Sequence, residues 1–388
     1  MRKLLLMAAG LTLFSTASLF ASKESSQARG GDHLGVIWSN SETQNVWRMP
    51  QQMNKIGNHL EFSRTGTGFG AAEGGFFLNK KDMASTFGVA LPINFGLYFN
   101  NAQYEFDRVN NHDNLVNLTT DAQVNDSPAR FDFFLGGFGD DYNLALRFGY
   151  NYVRDNASTS TAAEAKSASA VDFALGGTFE GFDAWVKFVL EPSSDNTTYK
   201  NNSLASAWQI GVRKELAGFR VYAEYNDGLQ SHLGGAAIAT TYNLYKDNST
   251  NSNFQLGVAR VHRIKDNGQF FWDARFTYTD LSKNIVRYRN HTRNSHDVKG
   301  WDISWTAGLA HEVFSWLRLA GSLEHTLYNG LDKPNDALKR TAMANLGFRI
   351  HSGGLGLDLN SSFTGTMGDG EGLSEILKST TATLTYDF

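Results

Sequence analysis

The stretch NLALRFGYNYV (143–153) divides into two alternating sets of residues, and that division decides the fold. Leu144, Leu146, Phe148, Tyr150 and Tyr152 form one set; Ala145, Arg147, Gly149 and Asn151 form the other. In an extended chain successive side chains point to opposite faces, so the first set makes an apolar face and the second a polar one. The same pattern recurs in FRVYAEYN (219–226) and in FFWDARFTYT (270–279). A strand with lipid on one side and water on the other needs this arrangement, because Arg or Lys at the lipid-facing midplane costs about 2–4 kcal/mol.

By that argument the charged residues of the strand-like segments point into a wet interior. They are Arg130, Asp132, Arg147, Asp172, Lys187, Arg213, Arg220, Glu224, Asp273, Arg275, Arg318, Glu324, Arg349 and Asp358, with Asp183 among the acids that offset the arginines. A soluble two-sheet sandwich also alternates, packing apolar faces together and turning charged faces to water. The connections separate the two architectures. Short ones fall at 79–82 (NKKD), 139–141 (GDD), 180–181, 216–218 (LAG), 266–268 (DNG), 313–315 and 352–354 (SGG), most with tight-turn compositions. Long polar ones fall between them, at 101–127, 155–166, 192–202, 228–251, 282–300, 329–338 and 368–376. Short on one side and long on the other is the construction of an outer-membrane barrel, with tight periplasmic turns and long external loops.

Strand-like segments of about nine to eleven residues suit a tilted membrane strand. Counted from the first, near His59, they number about sixteen, and about fourteen also satisfies the even-number rule. The open region is 70–100, where GGFFLNK, STFGVALPI and FGLYFN make two strands or three, with Pro92 at an edge or bulge. The expected fold is therefore all-β, a transmembrane antiparallel up-and-down barrel spanning 58–388.

Both ends of the chain agree with this. Met1-Arg2-Lys3 followed by an apolar run to Phe14 and small residues at 15–17 or 19–21 reads as a secretory signal peptide over 1–21, with cleavage after 17 as the other choice. The apolar run falls short of the roughly 20 residues of a helical span. The last eight residues, TATLTYDF, alternate and finish on an aromatic ring. Leu384, Tyr386 and Phe388 resemble the closing-strand signal that the outer-membrane assembly machinery of Gram-negative bacteria recognises. That resemblance implies the bacterial outer membrane, with lipid bilayer, lipopolysaccharide and the assembly machinery as partners.

Composition narrows the classes further. The 388 residues include 38 Gly, 28 Phe and 14 Tyr but 5 Pro and no Cys, so disulfides and thiolate metal sites are excluded. A formal charge of -4 gives no basic footprint for nucleic acid. His311-Glu312 lacks the second His of a zinc helix, and His291 and His296 in HTRNSH fall short of the roughly four ligands of a closed site. No phosphate loop or nucleophile elbow occurs. The expectation is a protein that is not an enzyme and uses no cofactor.

A barrel of about sixteen strands leaves an aqueous channel. The expected function is a porin-like channel for passive diffusion of small hydrophilic solutes and ions, with weak selectivity because the inward charges are mixed in sign. A homo-oligomer is compatible with it. The 101–127 stretch carries Glu105, Asp107, Asp113, Asp121 and Asp126, and folded inward it would narrow the pore as the constriction loop of general porins does. The other reading is a surface loop. Residues 22–57 form either a periplasmic tail or a lumen plug; Met49, Met53 and Ile56 have helical spacing, with Pro50 tolerated in the first turn. A plug there would resemble the hatch of long-chain fatty-acid transporters, without a motif of that family. A plugged transporter of hydrophobic molecules and a structural or surface-recognition barrel are the alternatives. Trp185, Trp208, Trp301, Trp305 and Trp316 are candidates for interfacial girdles or for packing.

Overall fold

The computed structural model describes residues 46–47, 49–64, 72–88, 91–99, 129–138, 143–155, 166–190, 193–196, 203–238, 241–264, 267–287, 292–330, 341–366 and 380–387. The signal-peptide reading, the 101–127 loop with its five acids, and Phe388 lie outside these residues.

Two-residue periodicity becomes one closed antiparallel sheet. Its strands are β1 (His59–Arg64), β2 (Ala72–Leu78), β3 (Asn94–Phe99), β4 (Ala129–Phe138), β5 (Leu144–Asp155), β6 (Lys166–Phe179), β7 (Phe182–Val189), β8 (Ser193–Asn196) and β9 (Ser203–Leu216). They continue as β10 (Phe219–Ile238), β11 (Thr241–Ile264), β12 (Gly268–Arg287), β13 (Thr292–Phe314), β14 (Leu317–Asn329), β15 (Thr341–Ser352), β16 (Leu355–Thr366) and β17 (Thr380–Asp387). Both β7 and β8 pair with β6, so they share one place in the wall, and the barrel has sixteen strand positions.

The ring closes where β1 pairs with β17, from His59 opposite Asp387 to Arg64 opposite Ala382. Leu384 and Tyr386 face Phe62 and Leu60 across this seam. The buried His59 ring joins both strands: Nδ1 lies 2.7 Å from Asp387 Oδ1, and Nε2 lies 3.3 Å from Glu61 Oε2. Both ends of the barrel chain therefore meet on the side of the tight turns. Two of these turns have left-handed backbone at both central residues, Glu180-Gly181 (φ 46 and 70) and Ala217-Gly218 (φ 50 and 81), the geometry whose twist matches a two-residue hairpin.

Three sequence expectations change. The 79–82 segment is not a tight turn; it begins helix α1 (Lys80–Phe87), so the described residues of the 70–100 region hold two strands, and Ser85, Thr86 and Phe87 of STFGVALPI belong to the helix. The physical cause is capping: the Asn79 side chain accepts the Lys81 N–H at 3.0 Å, and Gly88 ends the helix with φ 67. The 228–251 and 282–300 stretches are largely paired strand, since β10 to β13 run for 20 to 24 residues. Beyond the bilayer neither face of a hairpin meets lipid, so alternation fades while main-chain pairing continues. Part of 192–202 is likewise strand, at β8.

Candidate functional site

Among the described residues burial divides the strands as the sequence does. On β5 Ala145, Arg147 and Gly149 are buried while Leu144, Phe148 and Tyr150 are exposed; on β7 Asp183, Trp185 and Lys187 are buried while Phe182 and Phe188 are exposed. Exposed large apolar residues run round the whole wall, among them Leu175, Ile210, Leu256, Leu309 and Leu346. Closure satisfies every ladder bond without an edge, which is the condition for strands to cross lipid. Trp208, Trp301 and Trp316 are exposed on this outer face; Trp301 stacks on Tyr328 and Phe276, and Trp316 on Phe314. Trp185 belongs instead to the inner face and Trp305 is half-buried. A closed barrel of sixteen strands with an apolar outer belt and a charged inner face has the construction of an outer-membrane barrel.

The inner charges stand beside small residues and bond one another. Gly149 separates Asp132 on β4 from Asp172 on β6, and Arg147 reaches both from β5. Its Nη2 donates to Asp172 Oδ1 at 2.9 Å and its Nε lies 3.8 Å from Asp132 Oδ1. All three side chains are at most 1% exposed. Arg213 Nε donates to Asp183 at 2.9 Å, and Arg275 bridges Asp273 and Glu324. Tyr222 donates to Asp273 at 2.9 Å, while Arg349 lies 3.7 Å from Asp358 and donates to Thr385. Lys187 and Glu224 are buried as well; Arg220, Arg275, Arg318 and Glu324 are half-buried, and the Arg130 side chain lies outside the described set. Among the described residues no group of three or more His, Cys, Asp or Glu is placed to hold a metal ion.

Large inner rings occupy the space beside glycines of the next strand, among them Trp185 at Gly211, Tyr222 at Gly257 and Phe271 at Gly308. Alternation alone does not reveal these cross-strand pairs. A Cβ at Gly211 would lie 2.0 Å from Trp185 Cζ2. Gly211→Ala is expected to destabilise the barrel by about 1–3 kcal/mol, the range for overpacking. Urea titration of the refolded protein measures it, and adding Trp185→Leu should recover part of the loss. Wild-type stability in Gly211→Ala would refute the packing argument.

The inner wall of β2 to β6 is not bare. Residues 46–47 and 49–58 lie against it, with Val46, Trp47, Met49, Met53 and Ile56 at most 4% exposed and Pro50–Lys55 wound as a 3-10 turn with Pro50 at its start. The helical spacing of Met49, Met53 and Ile56 thus corresponds to one apolar side of a tight turn. Trp47 packs edge-on against Tyr98 and Phe134 at 4.8 and 5.7 Å, and its indole N–H donates to Asp132 Oδ2 at 3.0 Å. Glycines provide the room: a Cβ at Gly136 would meet Met53 and Asn54, and one at Gly176 would meet Gln51. Asparagines fasten the polar side. Asn54 donates to the Asn143 carbonyl and accepts from Asn94; Asn79 donates from its amide side chain to the Ile56 carbonyl and from its backbone to Asn58. Lys55 keeps contact with solvent, yet crowding by the wall lowers its pKa from the ordinary lysine value, Asp183 opposing and Arg213 assisting.

No protein-family model matches the sequence, and no match is found among curated proteins. Solved structures do resemble the chain. The translocator domain of autotransporter NalP from Neisseria meningitidis is 12% identical over 63% of this chain and 87% of its own, with a TM-score of 0.33. CdiB from Escherichia coli is 10% identical over 85% of this chain and 62% of its own (TM-score 0.46), and the ferric yersiniabactin uptake receptor FyuA from Yersinia pestis is 6% identical over 79% and 54% (TM-score 0.45). The chain spans less than two thirds of the length of the last two.

Proposed function

We propose that the protein is an outer-membrane channel through which small hydrophilic solutes and ions diffuse passively, without a cofactor and without catalysis. The observation that carries this reading is the charged and polar inner face of a sixteen-strand barrel. Barrels of about eight strands can be filled by their own side chains, whereas sixteen leave an aqueous lumen. Opposite charges on neighbouring strands, such as Arg147 between Asp132 and Asp172, give the wall no ring of one sign, so selectivity is weak. Leu384 and Tyr386, with Phe388 after them, serve in this reading as the signal for the barrel-assembly machinery.

The test is conductance of the refolded full chain in a planar bilayer. Stepwise ohmic openings with a reversal potential near zero in a salt gradient are the expected result. A silent bilayer with folding verified would refute the reading. The apolar packing of Val46, Trp47, Met53 and Ile56 on the inner wall favours one other reading, a plugged transporter, which predicts that silence.

A further inference from the structure

We infer that residues 46–47 and 49–56 form the constriction of this channel and set the largest solute that passes. The inference rests on the channel reading and adds the element that limits it. Sixteen strands spaced about 4.8 Å apart and tilted about 40° enclose a ring about 32 Å across between backbones. Inner side chains take about 5 Å from each side, half of the usual sheet-to-sheet spacing, which leaves a bore of about 22 Å. A single helical turn with its side chains is about 10 Å wide, so one chain on the wall removes close to half of that width.

The segment is built to stay in place. Its apolar side joins a continuous cluster with Phe77, Phe134 and Ala145, and its polar side is bonded to backbone carbonyls and to asparagines of the turns beneath. It also occupies hollows that the wall leaves empty at Gly136 and Gly176. A tail resting loosely at the mouth would need neither those hollows nor the Trp47 bond to a buried carboxylate. Arg147 and Asp132 have no exposed side-chain surface, so the segment also covers a charged part of the wall that solutes would otherwise meet.

Release and relock variants test this. Trp47→Ala combined with Asn54→Ala removes the ring contacts, the Asp132 bond and the amide lattice without touching a strand. Folding is verified by heat-modifiable gel mobility. Swelling of proteoliposomes in glucose, maltose, maltotriose and maltotetraose is expected to show a higher size limit than wild type, and single-channel conductance should rise by roughly a quarter, since a body about 10 Å wide fills about a fifth of the cross-section of a bore about 22 Å wide. Because the chain has no cysteine, Met53→Cys with Gly136→Cys can then pin the segment by a disulfide in the release background. Oxidation should return the wild-type size limit and reduction should raise it again. A single Met53→Cys offers a second measurement: a bulky maleimide should be excluded from it in the otherwise wild-type barrel and admitted in the release background. Equal size limits and equal maleimide reactivity in folded wild-type and release proteins would overturn the constriction alone. Silence of both in every assay would overturn the channel reading itself.

Discussion

Arg147→Met is expected to lose about 3–5 kcal/mol of folding stability, the range for breaking a buried ion pair by removing one partner. The guanidinium has no solvent-exposed surface, and it stands between two carboxylates that have almost none, Asp132 and Asp172. Methionine fills much of the same volume, so the loss measures charge rather than cavity. The two acids left beside the small residues Gly149 and Ala174 are buried, so their charge stays uncompensated once the guanidinium is gone. Urea titration in lipid vesicles, read by gel mobility of unheated samples, measures the change. Adding Asp132→Asn and Asp172→Asn to Arg147→Met should restore most of the stability, because a neutral set needs no counter-charge and an asparagine can still accept from Trp47. A single Arg147→Met variant as stable as wild type would show that the acids find other partners.

That prediction was half legible in the sequence. Arg147 and Asp172 announce their face by alternation, since any charge in a strand that crosses lipid has to face away from it. Their pairing does not appear there, because it depends on register: Gly149 must fall opposite both aspartates for one guanidinium to reach them. The same limit holds for Trp185 and Gly211, where one ring depends on the absence of a Cβ on another strand. Helix α1 had its start and stop written in Asn79 and Gly88, but eight residues give too little periodicity to outweigh a strand-like reading. The long hairpins β10 to β13 lost their signal where lipid stops sorting side chains. For residues 46–56 the apolar spacing was readable and its destination was not, because the wall that receives Trp47 and Met53 is assembled from β3, β4 and β5, roughly 50 to 100 residues further along the chain.

Leu175→Arg tests the other face of the same wall, and is expected to cost about 2–4 kcal/mol if the residue lies at the lipid midplane. Leu175 is 52% exposed, four residues from the end of β6 at the Glu180-Gly181 turn, and its cross-strand neighbours are Leu146 and Val186. In water such a leucine would be a liability, and its replacement by arginine would be neutral or favourable. Only lipid reverses the sign. Depth provides the internal control: Leu190, equally exposed but beyond the far end of β7, should accept arginine at a cost of about 0–1 kcal/mol, because the penalty falls toward the interface. Leu175→Phe should leave stability close to wild type, since the rings of Phe148 and Phe173 already occupy this belt. Vesicle refolding with urea titration compares the three variants. A Leu175→Arg protein as stable as Leu190→Arg would mean that the apolar belt meets something other than lipid.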